Sequence, residues 1–198
     1  MKNQYTLLIL IAIFALLMVG AYILYDQLGS QVDLPQISTQ DGAVETEATA
    51  SGEKDPAPGF TVYDVNNKPV SLSDFQGKPV VLNFWSSRCG PCQSEMPDFQ
   101  KAFLELGNDV QFLMVNVTDG YWDTVESASA FIQKSGYTFP VFYDTDRSAA
   151  GTYGISSLPT SLFFDSEGTL VAYAVGAINL DTLMQGIEMI LPKTEEAT

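Results

Sequence analysis

Phe84-Trp85-Ser86-Ser87-Arg88-Cys89-Gly90-Pro91-Cys92-Gln93-Ser94-Glu95-Met96-Pro97 holds the only two cysteines of the chain, spaced C-x-x-C. A run of β-formers over 79–85 leads into it, and a polar, helix-compatible run follows. That order predicts a strand, a tight turn, and then a helix whose first turn carries both sulfurs. In that setting C-x-x-C reads as a redox pair.

The chemistry follows from electrostatics. A thiolate, not a thiol, attacks a disulfide, and the partial positive charge at a helix N-terminus stabilises that anion. Cys89, ahead of Gly90-Pro91, sits at or before the first turn, where proline's fixed φ and missing donor are tolerated. Cys92 lies nearly one turn deeper. Cys89 is therefore expected as the exposed nucleophile and Cys92 as the residue that resolves a mixed disulfide. Arg88 adds a positive charge beside Cys89. The competing reading is a structural disulfide, but so short a loop gains little chain-entropy stabilisation. Resolution also needs a base near Cys92. Glu95, three residues on and on the same helix face, is placed for it, and burial would raise its pKa toward neutrality. Spacing alone leaves open that Glu95 is a solvated surface glutamate. Asn83 cannot exchange a proton in this range and reads as a core hydrogen-bonding group.

Working outward, 60–64 and 68–72 read as short strands around Asn66-Asn67, a pair that tolerates positive φ and suits a hairpin. Ser73 is expected to cap a helical turn closed by Gly77. Residues 79–85 and 110–117 are nearly continuous apolar runs, as in buried strands. The helix after Cys89 is expected to reach Leu106 and to be kinked at Pro97, with Phe99, Phe103 and Leu106 inward. Helices are expected over 122–135, 147–153 and from Asn179 or Asp181 to Pro192; strands over 139–143, 160–164 and 170–175, the last two forming an antiparallel hairpin. The predicted fold class is α/β, a mixed central sheet with helices on both faces and an extra N-terminal hairpin.

Ahead of this domain, no charge lies between Lys2 and Asp26, and 6–25 is rich in Leu, Ile, Ala and Phe. About 20 such residues span a hydrocarbon core of about 30 Å, so 1–25 is expected to hold one uncleaved transmembrane helix rather than a signal peptide. Lys2 before it and Asp26 after it place the N-terminus in the cytoplasm and the rest outside. Residues 26–59 are polar, acidic and poor in bulky side chains, and read as a tether with a reach of roughly 30–35 Å. The globular domain is assigned to 60–192 and a polar tail to 193–198.

Composition narrows the chemistry. The formal charge of −15, from 24 acidic and 9 basic residues, argues against nucleic acid as a partner. With no histidine and two cysteines, a four-ligand Cys/His zinc site within one chain and a Cys-His or Ser-His-Asp catalytic pair are excluded. No G-x-G-x-x-G follows a strand, so no nucleotide or metal cofactor is expected; the redox group is the cysteine pair itself.

Taken together, Val81-Leu82-Asn83-Phe84-Trp85, Cys89-Gly90-Pro91-Cys92, Glu95-Met96-Pro97, Phe139-Pro140-Val141, Asp144-Thr145-Asp146-Arg147 and Leu158-Pro159-Thr160 resemble the thioredoxin superfamily. Specifically, they resemble its membrane-anchored, extracytoplasmic ResA/TlpA-type thiol-disulfide oxidoreductases, over about residues 60–191. The resemblance implies a thioredoxin-like fold, with Pro159 as the family's cis-proline and the Leu158 backbone pairing with an extended client segment. It further implies Glu95 as the active-site glutamate, Asn83 in the place of the buried aspartate of cytoplasmic thioredoxin, and client contacts at Trp85 and Arg88. Arg88 departs from the family's tryptophan before the first cysteine and removes an aromatic wall from the docking surface. The expected activity is reduction of disulfides in client proteins, apocytochrome c among them, with electrons from a membrane thiol carrier. A disulfide oxidase or isomerase, and a non-enzymatic client-binding module, are the alternatives. A peroxidase is disfavoured, because Ser86 and Ser87 only loosely fit the threonine expected upstream of a peroxidatic cysteine.

Overall fold

The structure is a computed structural model that describes residues 56–192, together with Met18 and the pair Ser38–Thr39. The chain divides into two compact units, Met1–Leu34 and Pro35–Thr198. In the first, Met18 is helical and exposed. No helix among the described residues is long and apolar enough to cross a membrane; the span expected over 6–25 lies, apart from Met18, outside them.

The second unit is built on an eight-stranded mixed sheet. Its strands are β1 (Ser38–Thr39), β2 (Thr61–Tyr63), β3 (Pro69–Ser71), β4 (Val80–Trp85), β5 (Gln111–Asn116), β6 (Val141–Tyr143), β7 (Thr160–Phe164) and β8 (Leu170–Val175). The helices are α1 (Gly90–Leu106), α2 (Val125–Ser135), α3 (Ser148–Thr152) and α4 (Leu180–Ile190), with a 3-10 turn at Leu72–Phe75. Strand order is β1-β8-β7-β4-β5-β6-β2-β3. β4 lies parallel to β5 and antiparallel to β7. The mixed, helix-covered sheet expected from the chain order is present.

All six residues of β4 are buried, and the two-residue period of a strand divides them. Val81 and Trp85 join Phe112, Met114 and Phe163 in one cluster with Met96 and Phe99 of α1 and Leu183 and Ile187 of α4. Val80, Leu82 and Phe84 join Leu113, Val115, Leu162 and Phe164 in the other, with Phe60, Val62 and Ala149 and Ala150 of α3. Asn83 belongs by alternation with Val81 and Trp85, so its amide points under α1. Gly186 marks how closely α4 approaches the sheet: a Cβ there would run into Cε1 and Cζ of Phe163.

Several local expectations shift. The hairpin turn is built as predicted, with Asn67 at φ 61°. The short turn after β3 begins at Ser71, whose N–H donates to the Asp74 carboxylate (2.9 Å), rather than at Ser73. α2 starts at Val125, three residues later than periodicity suggests, because Thr124 Oγ1 caps it by accepting from Ser127 N–H. Residues just ahead of 60 also bond to the domain. Ala57 N–H donates to Gly168 O (2.9 Å), and Tyr153 Oη donates to Pro58 O (2.7 Å). Within the expected tether, Ser38–Thr39 pairs with Tyr173 and Ala172 of β8. The free backbone groups of an edge strand favour such pairing, whatever the side chains. α1 runs unbroken through Pro97, which lies on its exposed side, where the carbonyl deprived of its donor can meet water.

Candidate active site

Cys89 is the N-cap of α1, in extended backbone (φ −89°, ψ 110°) where the chain leaves β4. Its Sγ accepts a hydrogen bond from Cys92 N–H at 3.2 Å and lies 3.7 Å from Leu158 O. Cys89 and Cys92 are joined as a disulfide with their Cα atoms 5.2 Å apart. Cys89 is half-buried and Cys92 fully buried. The outer sulfur thus faces the helix dipole and a backbone donor, both of which stabilise negative charge there. The Leu158-Pro159 peptide is cis, and Leu158 is half-buried beside the sulfur.

Behind the pair, Glu95 is 2 % exposed, so it is not a solvated surface residue. Its Oε1 accepts from Asn83 Nδ2 (2.8 Å) and its Oε2 from Ile178 N–H (3.0 Å). Asn83 Nδ2 also donates to Ser161 Oγ (3.0 Å), the residue directly opposite it on β7. Burial pushes the Glu95 pKa from 4.5 up to about 7, despite the bonds from Ile178 and Asn83, and Asp98 adds to the rise. The result is a buried carboxyl, one helical turn beyond a buried sulfur, that changes charge near neutral pH.

A second polar knot lies on the other side of the motif. Asp123, 1 % exposed, accepts from Ser86 Oγ (2.9 Å), Ser87 N–H (2.5 Å), Ser87 Oγ (2.6 Å), Asn116 Nδ2 (2.9 Å) and Ser127 Oγ (2.6 Å). Burial would raise its pKa, but the bonds from Asn116, Ser127 and Ser87 outweigh that and hold it below the ordinary carboxylate value. This carboxylate ties the loop before Cys89 to the start of α2. Periodicity missed it by running α2 back to Trp122; the spacing Thr124-x-x-Ser127 is the signal that would have moved the helix start and freed Asp123. The Ser86 and Ser87 hydroxyls are thereby committed to Asp123 rather than to the sulfur.

Of the residues expected at the site, Cys89, Cys92, Leu158 and Pro159 come together, Glu95 lies behind them, and Arg88 is exposed one residue before Cys89. Trp85, expected to contact clients, does not reach them. It is fully buried, packed on Phe131 with ring centroids 5.9 Å apart, because its place in β4 turns it into the core. Among the described residues, no group of three or more His, Cys, Asp or Glu side chains is arranged to hold a metal ion.

A model of the AhpC/TSA family matches residues 54–173. The thiol-disulfide oxidoreductase ResA of Bacillus thuringiensis strain Al Hakam is 34 % identical over 139 residues, 69 % of this chain and 77 % of that protein. This chain belongs to the AhpC/TSA family, among its ResA-type thiol-disulfide oxidoreductases. ResA of Bacillus subtilis is 33 % identical over 141 residues, 71 % of this chain and 76 % of that protein. Among solved structures, a thiol:disulfide interchange protein DsbE from Chlorobium tepidum superposes with a TM-score of 0.62 at 29 % identity, covering 72 % of this chain and all of that one. The ResA-type assignment makes the protein an enzyme of dithiol-disulfide exchange, acting on disulfide-containing client proteins.

Proposed function

We propose that this chain is a single-pass, extracytoplasmic membrane protein that reduces disulfides in clients, apocytochrome c among them, and is recharged by a membrane thiol carrier. The observation that carries the redox half is the pairing of an outer sulfur that accepts a backbone N–H with a buried sulfur backed by a buried carboxyl. In the reduced protein, the Cys89 thiolate attacks one client sulfur and displaces the other as a thiolate, leaving a mixed disulfide. Glu95 takes the Cys92 proton, and the Cys92 thiolate then attacks Cys89 Sγ, releasing the second client thiolate and closing the Cys89–Cys92 bond. Two electrons pass to the client and no cofactor is required. Leu158 O, beside Cys89, is positioned to accept a backbone N–H from an extended client segment, as in β-strand addition. Arg88 adds positive charge at the attacking sulfur.

The apolar run 6–25 and the Lys2/Asp26 asymmetry support the anchor and its orientation. The Gly90-Pro91 dipeptide and the family resemblance support the reducing direction. Trapping tests the reading. With Cys92→Ser, a mixed disulfide on Cys89 cannot be resolved, so clients should be recovered as covalent adducts from intact cells and identified by mass spectrometry. Recovery of none defeats the proposal. A reduction potential near that of the glutathione pool of an oxidising compartment would reverse the direction to oxidation or isomerisation.

A further inference from the structure

β5 and β7 flank β4 on opposite sides. The end of β5 and the start of β7 lie at the same edge of the sheet as the end of β4, since β5 is parallel and β7 antiparallel to it. The cysteine motif therefore emerges between two loops. One carries Leu158. The other, residues 117–124, presents Tyr121 and Trp122 to solvent, 85 % and 67 % exposed, with rings edge-to-face at 5.9 Å. Large aromatics so exposed are uncommon away from interaction surfaces.

This loop is rigidly built. Asp119 Oδ1 accepts from the N–H groups of Tyr121 (2.9 Å), Trp122 (2.6 Å) and Asp123 (3.0 Å). Asp123 in turn holds Ser87 N–H. Trp122 is thus separated from Cys89 by one hydrogen bond and a few residues, within roughly 20 Å, a span that about six extended residues cover.

We propose that Tyr121 and Trp122, flanked in sequence by the exposed carboxylates Asp119 and Glu126, form a cradle for a lysine or arginine in the client segment beside its disulfide. This rests on the redox reading above and specifies which clients it favours. An aromatic face attracts a cation, and carboxylates on the same loop and at the start of α2 add a longer-range attraction that exceeds the single opposing charge of Arg147 near Asp119. Both carboxylates stay charged well below neutral pH. The N–H groups of Asp123 and Tyr121 chiefly hold Asp119 below its ordinary value, with Trp122 and Arg147 adding to the effect. Glu126 is held down by its own N–H and by the Thr124 side chain. Arg88 disfavours a cation at the cysteine itself, so the cradle selects one some residues away. A client strand starting at Leu158 and passing over Cys89 runs toward it. The cradle restores an aromatic docking wall from the neighbouring loop where Arg88 stands in place of tryptophan.

The test uses the reduced protein and three synthetic peptides, each with one intramolecular disulfide and flanks carrying lysines, serines or glutamates. Reduction is followed by chromatography of the peptide thiols. At low salt the lysine peptide should react about tenfold faster than the serine peptide and the glutamate peptide slowest, with the preference shrinking at high salt. The double variant Tyr121→Ala/Trp122→Ala leaves the net charge unchanged and should reduce the lysine-over-serine preference to about twofold; Glu126→Gln should lower it about twofold. Equal rates for all three peptides, or a full preference surviving in the double variant, overturn the cradle while leaving the redox reading intact. No reaction with any peptide overturns both.

Discussion

Replacing Glu95 by glutamine removes a buried carboxyl whose pKa is pushed up to about 7 while keeping its shape. The size of the effect follows from the gap between 4.5 and about 7, which corresponds to roughly 3 kcal/mol. Between those values the folded protein holds a proton on Glu95 that the unfolded chain has lost. The resulting stability is fully present below about pH 4.5 and is lost as pH rises through 7. The substituted amide does not titrate. The stability of the wild type relative to Glu95→Gln should therefore fall by about 3 kcal/mol between pH 4.5 and 8. The variant carries a separate penalty of about 1 kcal/mol, because its amide group and Ile178 N–H are both donors; that offset is independent of pH. The assay is urea unfolding of the oxidised proteins at five pH values, where the cysteines do not titrate and the other carboxylates cancel in the difference. Parallel pH profiles for the two proteins would refute the assignment of a near-neutral titration to Glu95, and with it the base proposed for Cys92.

Two further predictions concern the frame around the site. Asp123→Ala leaves five donors without their acceptor and should cost about 3 kcal/mol at neutral pH by urea denaturation. Because the Asp123 pKa is held down, the part of this contribution that comes from its charge is lost as pH falls through its folded value, so the gap between the two proteins should narrow in acid; a gap that does not narrow as the pH is lowered would contradict it. Gly186→Ala forces a methyl against the fully buried Phe163 ring and should cost about 1–3 kcal/mol, whereas substitution at the exposed Glu188 of the same helix should cost little. Equal melting temperatures for Gly186→Ala and the wild type would show that α4 can back away.

Much of this architecture is legible in the sequence. β4, α1 and the cysteine turn are signalled locally: a strand-long run of mostly apolar and aromatic positions, then a small-residue break, then helical spacing. What periodicity cannot see is which partner a polar residue finds. Glu95 looks identical on paper whether it faces water or Asn83, and only the packing of the 176–179 turn over α1 supplies Ile178 N–H and removes the solvent. For a related reason Trp85, next to the motif in sequence, is not next to the client surface in space: strand alternation sends it inward. Asp123 was hidden by a helix start placed three residues early. β1 could not be read from composition at all, because edge pairing uses backbone groups that every residue carries.

The division of β4 into two faces has an evolutionary corollary. Val80, Leu82 and Phe84 can drift among apolar side chains with consequences for cohesion alone, whereas Asn83 answers to Glu95 of α1 on the opposite face of the strand. Insertion or deletion of one residue within this strand would exchange the two sets, seating a leucine or phenylalanine beneath the carboxyl and an amide among aliphatics. Such a lesion would abolish folding and electron transfer at one stroke. The lineage is thus expected to tolerate point changes at Val80, Leu82 and Phe84 but no change in the length of β4.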